Sequence, residues 1–97
     1  MNIPMNTPTK LFFDDNVIKL FRELDDDEVI RIELINGNKI YFLPSDEFYP
    51  DSHRIIIIKS IKNKRQKIII DVSAIAVVCT MSRETYDLKL NRGELYV

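Results

Sequence analysis

A chain of 97 residues and 11.4 kDa has room for one modest core and is too short to build two independent ones. With 45% hydrophobic and 30% charged residues, two Gly and four Pro, it has the composition of a packed protein, and its net charge of −1 gives no overall field for nucleic acid or a membrane surface. A single Cys, a single His and no Trp exclude a disulfide framework, a cysteine-rich zinc site and most familiar catalytic constellations.

In chain order, Met1–Thr9 holds Pro4 and Pro8, carries neither the basic start nor the apolar run of a signal peptide, and reads as part of a flexible leader, 1–13. Asp14-Asp15-Asn16 offers a helix N-cap, and Val17, Ile18, Leu20, Phe21 and Leu24 follow at helical spacing. One amphipathic helix is expected over roughly 14–25, closed by the solvated acidic run Asp25–Glu28. From Glu28 the period changes to two. Ile30, Ile32 and Leu34 alternate with Arg31 and Glu33 as a half-buried strand, and Asn36-Gly37-Asn38 is the strongest turn signal in the chain.

Parity selects the hairpin loop. A two-residue loop at Asn36-Gly37 pairs Leu34 with Lys39, whereas a three-residue loop over Asn36–Asn38 pairs Leu34 with Ile40 and Ile32 with Phe42. Only the second collects the apolar side chains on one face, so it is predicted, with Gly37 or Asn38 left-handed and Glu33 opposite Tyr41. Pro44–Ser52 reads as a long polar loop with two prolines and three acids. Two strands follow, Arg54–Lys59 and Lys67–Asp71, joined by the basic turn Lys62–Arg65. Both are apolar on both faces, which implies a core on one side and a helix, the curl of a small barrel or another subunit on the other. A tight bend at Asp71–Ala74 leads into a fifth strand, Ile75–Thr80. Beyond it Tyr86, Leu88 and Leu90 alternate with polar residues, and Asn91-Arg92-Gly93 is a second turn signal, so 81–97 is expected to be an extension forming a β-hairpin. The fold class that follows is mainly β with one N-terminal helix (α+β): a small, strongly bent antiparallel barrel of SH3/Sm-like type over 14–80.

The segments VIRIELINGNKIYF (29–42) and IIIDVSAIAVV (68–78), preceded by a helix, resemble the Sm-like family and within it the Hfq-like RNA chaperones. The shared signatures are Asn36-Gly37 and Ser73-Ala74-Ile75. The resemblance implies a helix, bent strands and a ring oligomer built by strand pairing. At the bend where that family carries a uridine-binding Tyr-Lys-His this chain has Asp71, Val72 and Ser73, and Phe42 stands where the family bends on a glycine, so the pore chemistry is not implied.

Two constellations carry the candidate function. Asp46, Glu47, Phe48, Tyr49 and Asp51 form an acidic, aromatic loop suited to anchoring a protein partner. Arg54, Lys59, Lys62, Lys64, Arg65 and Lys67 form a run without acids that suits phosphate, although no aromatic residue is interleaved for base stacking. His53 beside Ser52 reads as a surface histidine rather than a general base, and Cys79 as a small hydrophobe. No Gly-rich phosphate loop, HExxH or CxxC occurs, so no enzyme, no cofactor and no metal are expected. The leading expectation is a non-catalytic protein-interaction module, a small regulator or inhibitor of the kind phage and mobile elements make. The alternative is an Sm-like RNA- or DNA-binding oligomer. In either case a cytoplasmic homo-oligomer without a membrane span is expected.

Overall fold

The computed structural model describes residues 15–51 and 53–93. The expected leader 1–13, Asp14, Ser52 and the last four positions lie outside the described residues.

Helix α1, Asp15–Arg22, has Asp15 in its first turn and Lys19 and Arg22 in its last, each sign matched to the helix dipole. It stops three residues before the expected end. The Glu23 amide still donates to the Lys19 carbonyl at 2.9 Å, after which Leu24 turns back onto the core. Six strands follow: β1 (Glu28–Leu34), β2 (Lys39–Phe42), β3 (Glu47–Pro50), β4 (Arg54–Ile61), β5 (Lys64–Asp71) and β6 (Ile75–Ser82). One turn of 3-10 helix, Val72–Ala74, forms the bend between β5 and β6.

The strands make two antiparallel three-stranded sheets, ordered β2-β1-β6 and β3-β4-β5. The broad α+β class expected from the sequence is therefore present, but the five-stranded closed barrel is not. Among the described residues no ladder joins the two sheets, which share a core instead. The turn Leu43–Asp46, closed by the Asp46 amide donating to the Leu43 carbonyl at 2.9 Å, carries the chain from one sheet to the other. The 3-10 turn carries it back, and there the Ile35 amide donates to the Ala74 carbonyl at 2.9 Å.

The β1–β2 loop has three residues between its flanking strand ends' hydrogen-bonded pair Leu34 and Asn38, but they are Ile35–Gly37 rather than Asn36–Asn38. Ile32 faces Ile40, Ile30 faces Phe42, and Tyr41 lies opposite Arg31 rather than Glu33. The shift of two keeps every side chain on its expected face. Its cause is local: Gly37, at φ +90°, takes the last loop position, and the Asn36 side chain accepts from the Asn38 amide at 3.0 Å.

Ile30 and Ile32 of β1 meet Ile55 and Ile57 of β4 in the main core, with Phe21, Phe42, Ile70, Val72 and Ile75 around them. The reverse side of β1 is also covered. Val29 and Tyr41 pack on Tyr86, which belongs to a second helix, α2 (Arg83–Asn91). That helix replaces the expected C-terminal hairpin. Alternation at Tyr86, Leu88 and Leu90 satisfies a strand pattern, but the ends decide. The Ser82 hydroxyl accepts from the Thr85 amide at 3.1 Å as an N-cap, a contact that contributes about 1 kcal/mol. At the other end Gly93, at φ +73°, sends its amide to the Leu90 carbonyl at 3.0 Å. The second turn signal is thus a helix stop. Burial lifts the Tyr41 and Tyr86 phenols above the ordinary tyrosine range.

Candidate functional site

The acidic, aromatic segment is not a free loop. Glu47–Pro50 reads acid, aromatic, aromatic, proline, and it pairs with β4 as an edge strand, where a proline without an N–H is tolerated. Strand parity splits its residues. Phe48 points inward and stacks on Phe21, with ring centroids 4.3 Å apart and planes at 5°. Glu47 and Tyr49 point outward. Asp51 turns the chain into β4: its Oδ1 accepts from the His53 and Arg54 amides, both at 2.8 Å, and those two bonds hold its carboxyl below the ordinary aspartate range.

Asp46 is also turned inward. Its Oδ2 accepts from the Leu43 amide at 2.9 Å and from the Lys59 ammonium, and Lys59 is only 6% exposed. The fold turns three of the candidate site residues inward. Asp46 and Phe48 are internal contacts rather than partner-facing ones, and Lys59 is a buried counter-ion rather than a phosphate ligand. The strand period carries this information: Lys59 shares the parity of Ile55 and Ile57, so an inward-facing lysine needs an internal acid.

What remains outward lies on the far side of β3-β4-β5. Pairing registers bring Tyr49, Ile56 and Ile69 into one row across the three strands, and Glu47, Ile58 and Lys67 into the next. Tyr49 is 52% exposed and Ile69 56% exposed, while Ile56 and Ile58 on the central strand are half-buried between their neighbours. A polar bridge from β3 to β5 crosses the face at one end of the strip. The Tyr49 hydroxyl donates to Glu47 Oε1 at 2.6 Å, which raises the phenol pKa, and Arg65 Nη2 donates to Glu47 Oε2 at 2.9 Å. The both-faces apolar pattern of the two isoleucine runs is thus resolved: one side makes the core and the other is open.

The remaining cations surround the β4–β5 hairpin. Its turn is two residues, Lys62 and Asn63, at φ 51° and 67°, and it leaves Lys62, Lys64 and Lys67 exposed. Arg54 is exposed at the opposite end of β4, and Arg65 is engaged by Glu47. His53 is exposed, its amide held by Asp51 and its carbonyl accepting from the Val72 amide at 2.8 Å. Cys79 is half-buried on β6 opposite Arg31. No cluster of three or more His, Cys, Asp or Glu side chains able to hold a metal occurs among the described residues, and none of their helices is long and apolar enough to cross a membrane.

Comparison with protein-family models, curated proteins and solved structures finds no match to this chain.

Proposed function

We propose that this chain is a non-catalytic protein-interaction module, a small regulator or inhibitor, whose contact surface is the outer face of β3-β4-β5. The observation that carries this reading is the row Tyr49–Ile56–Ile69, an apolar strip on a regular sheet, bordered by Glu47, Arg65 and Lys67. An exposed aromatic beside aliphatic side chains, with charge at the edge, is the anatomy of a contact patch.

The reading carries a finer view of the fold, in which the two sheets are halves of a strongly bent barrel of SH3/Sm-like type. Its support is the element order: a helix, a strand leading into the Asn36-Gly37 turn, and a one-turn bend through Ser73-Ala74 before the last strand. A homo-oligomer belongs to the same proposal.

The test is a paired affinity capture with wild-type protein and with Ile69→Glu as baits. Ile69 is an exposed strand residue, so the stability of this variant should stay within about 0.5 kcal/mol of wild type in thermal unfolding. Proteins bound by wild type should be lost from Ile69→Glu, and Tyr49→Ala should weaken the same complexes by about 2 kcal/mol. Identical recoveries with both baits, further copies of this chain counted among the captured proteins, would sink the reading.

A second reading, an Sm-like RNA-binding oligomer, draws on the exposed cations Arg54, Lys62, Lys64, Arg65 and Lys67. It ranks lower because Arg65 is held by Glu47 and residues 54–67 contain no aromatic ring. It requires a salt-dependent gel shift with poly-U, poly-A or duplex that weakens on charge reversal at Lys62, Lys64 and Arg65. No shift by wild type at low salt removes it.

A further inference from the structure

We infer that the occupant of the outer β3-β4-β5 face is a second copy of this chain, packed sheet on sheet about a two-fold axis running along β4. The inference rests on the interaction-module reading and names the partner for the surface identified there.

The argument is the distribution of charge about the strip. The two rows are Tyr49–Ile56–Ile69 and Glu47–Ile58–Lys67, each written from β3 through β4 to β5. An acid therefore stands on one flank of the central isoleucine and a base on the other, two strands or roughly 10 Å apart. A two-fold axis in the interface along β4 preserves height along the strand and exchanges the flanks. It lays β3 of one copy over β5 of the other. Tyr49 then covers Ile69 of the second copy, Ile56 meets Ile56, and Ile58 meets Ile58. Glu47, whose Oε1 and Oε2 already accept from Tyr49 and Arg65 of its own copy, stands over Lys67 of the second copy, and the symmetry makes that contact twice.

The other in-plane two-fold, across the strands, sets Glu47 against Tyr49 and Lys67 against Ile69, leaving neither charge facing an opposite one. The charge pattern therefore selects the axis along β4. One row farther out, Arg54 lies between Asp51 and Asp71. Packed sheets cross at roughly 30°, which carries that row sideways by about one strand spacing and places each Arg54 against an acid of the other copy. A self-complementary patch of this kind is what an isologous interface requires.

The experiment is light scattering coupled to size exclusion on the full chain at tens of micromolar, with Glu47→Lys and Lys67→Glu as variants. Wild type should elute at twice the 11.4 kDa chain mass. Each single variant places two like-charged pairs in the interface and should raise the dimer dissociation constant by about tenfold or more. Mixed in equal amounts, the two variants should recover a dimer. In that mixed pair one chain is basic at both positions and the other acidic at both, so each contact across the axis again joins opposite charges. Monomeric wild type overturns the inference, and so do single variants that dimerise as wild type does or a mixture that stays monomeric. If wild type is monomeric while Ile69→Glu still loses captured proteins, the contact surface stands and only its occupant is wrong. If Ile69→Glu alters neither mass nor capture, both readings fall.

Discussion

Asp46→Asn should cost about 3–5 kcal/mol of folding stability, because it strands the Lys59 ammonium on the inward side of β4 with no acid to face. The substitution is nearly isosteric and retains an oxygen to accept from the Leu43 amide, so the loss isolates the charge. Lys59→Met, by contrast, places an apolar chain among Ile55 and Ile57 but leaves the carboxylate at the Leu43–Asp46 turn. Both singles should therefore be damaging, and the double variant Asp46→Asn/Lys59→Met should recover most of the stability, since no uncompensated charge remains. Urea denaturation checks this, with the midpoint falling in the singles at an unchanged slope. A cost under about 1 kcal/mol for Asp46→Asn would mean that the pair behaves as a solvated surface bridge, and would refute the buried-pair description.

Phe21→Ala is expected to be of similar size, about 3–5 kcal/mol, through the space it empties between α1 and both sheets. Phe21 is the hinge of an aromatic trio. It stacks on Phe48 from β3, meets Phe42 from β2 edge-on at 5.1 Å, and those two meet each other at 5.8 Å. One side chain therefore holds the helix to an edge strand of each sheet. Phe21→Leu keeps most of the volume and loses the ring contacts, worth about 1 kcal/mol. By calorimetry that separation should read as a melting-temperature drop of about 4–8 °C for each kcal/mol. Equal drops for alanine and leucine would show that ring geometry, not volume, decides the site.

Several of these contacts are legible in the sequence. The inward face of β1–β2 follows from parity alone, and the buried residues Ile30, Ile32 and Phe42 lie on the face so assigned. The register differs by two from the expected one because pairing arithmetic weighs apolar matches, whereas the backbone weighs where Gly37 can adopt a positive φ. The acidic, aromatic loop hides a strand because Pro44, Pro50 and three acids outweigh four residues of strand, and only the partner β4 gives that strand its two faces. The C-terminal helix is hidden for a similar reason. Its cap, Ser82, and its stop, Gly93, both read equally well as turn residues. For the site, composition identifies the right neighbourhoods but not which way each side chain faces. Glu47 and Tyr49 remain at the surface while Asp46 and Phe48 leave it, because neighbours in a strand point to opposite sides and a tally of charges has no sides.

The order β3-β4-β5 also bears on a hazard in this chain. Ile55–Ile58 is an uninterrupted β-branched run without charge, the kind of segment that templates cross-β growth when its backbone is free. Here it is the middle strand, with its amides and carbonyls committed on both sides. The strands left at the rim are poor templates: β3 is four residues long and ends in Pro50, and β5 opens with Lys64, Arg65, Gln66 and Lys67. In the proposed pair, face-to-face stacking would consume the outer surface without exposing a new one, so growth would end at two copies. Loss of β3, by proteolysis or by a substitution that unseats Phe48, would free one edge of β4 and expose the isoleucine run to pairing with other chains.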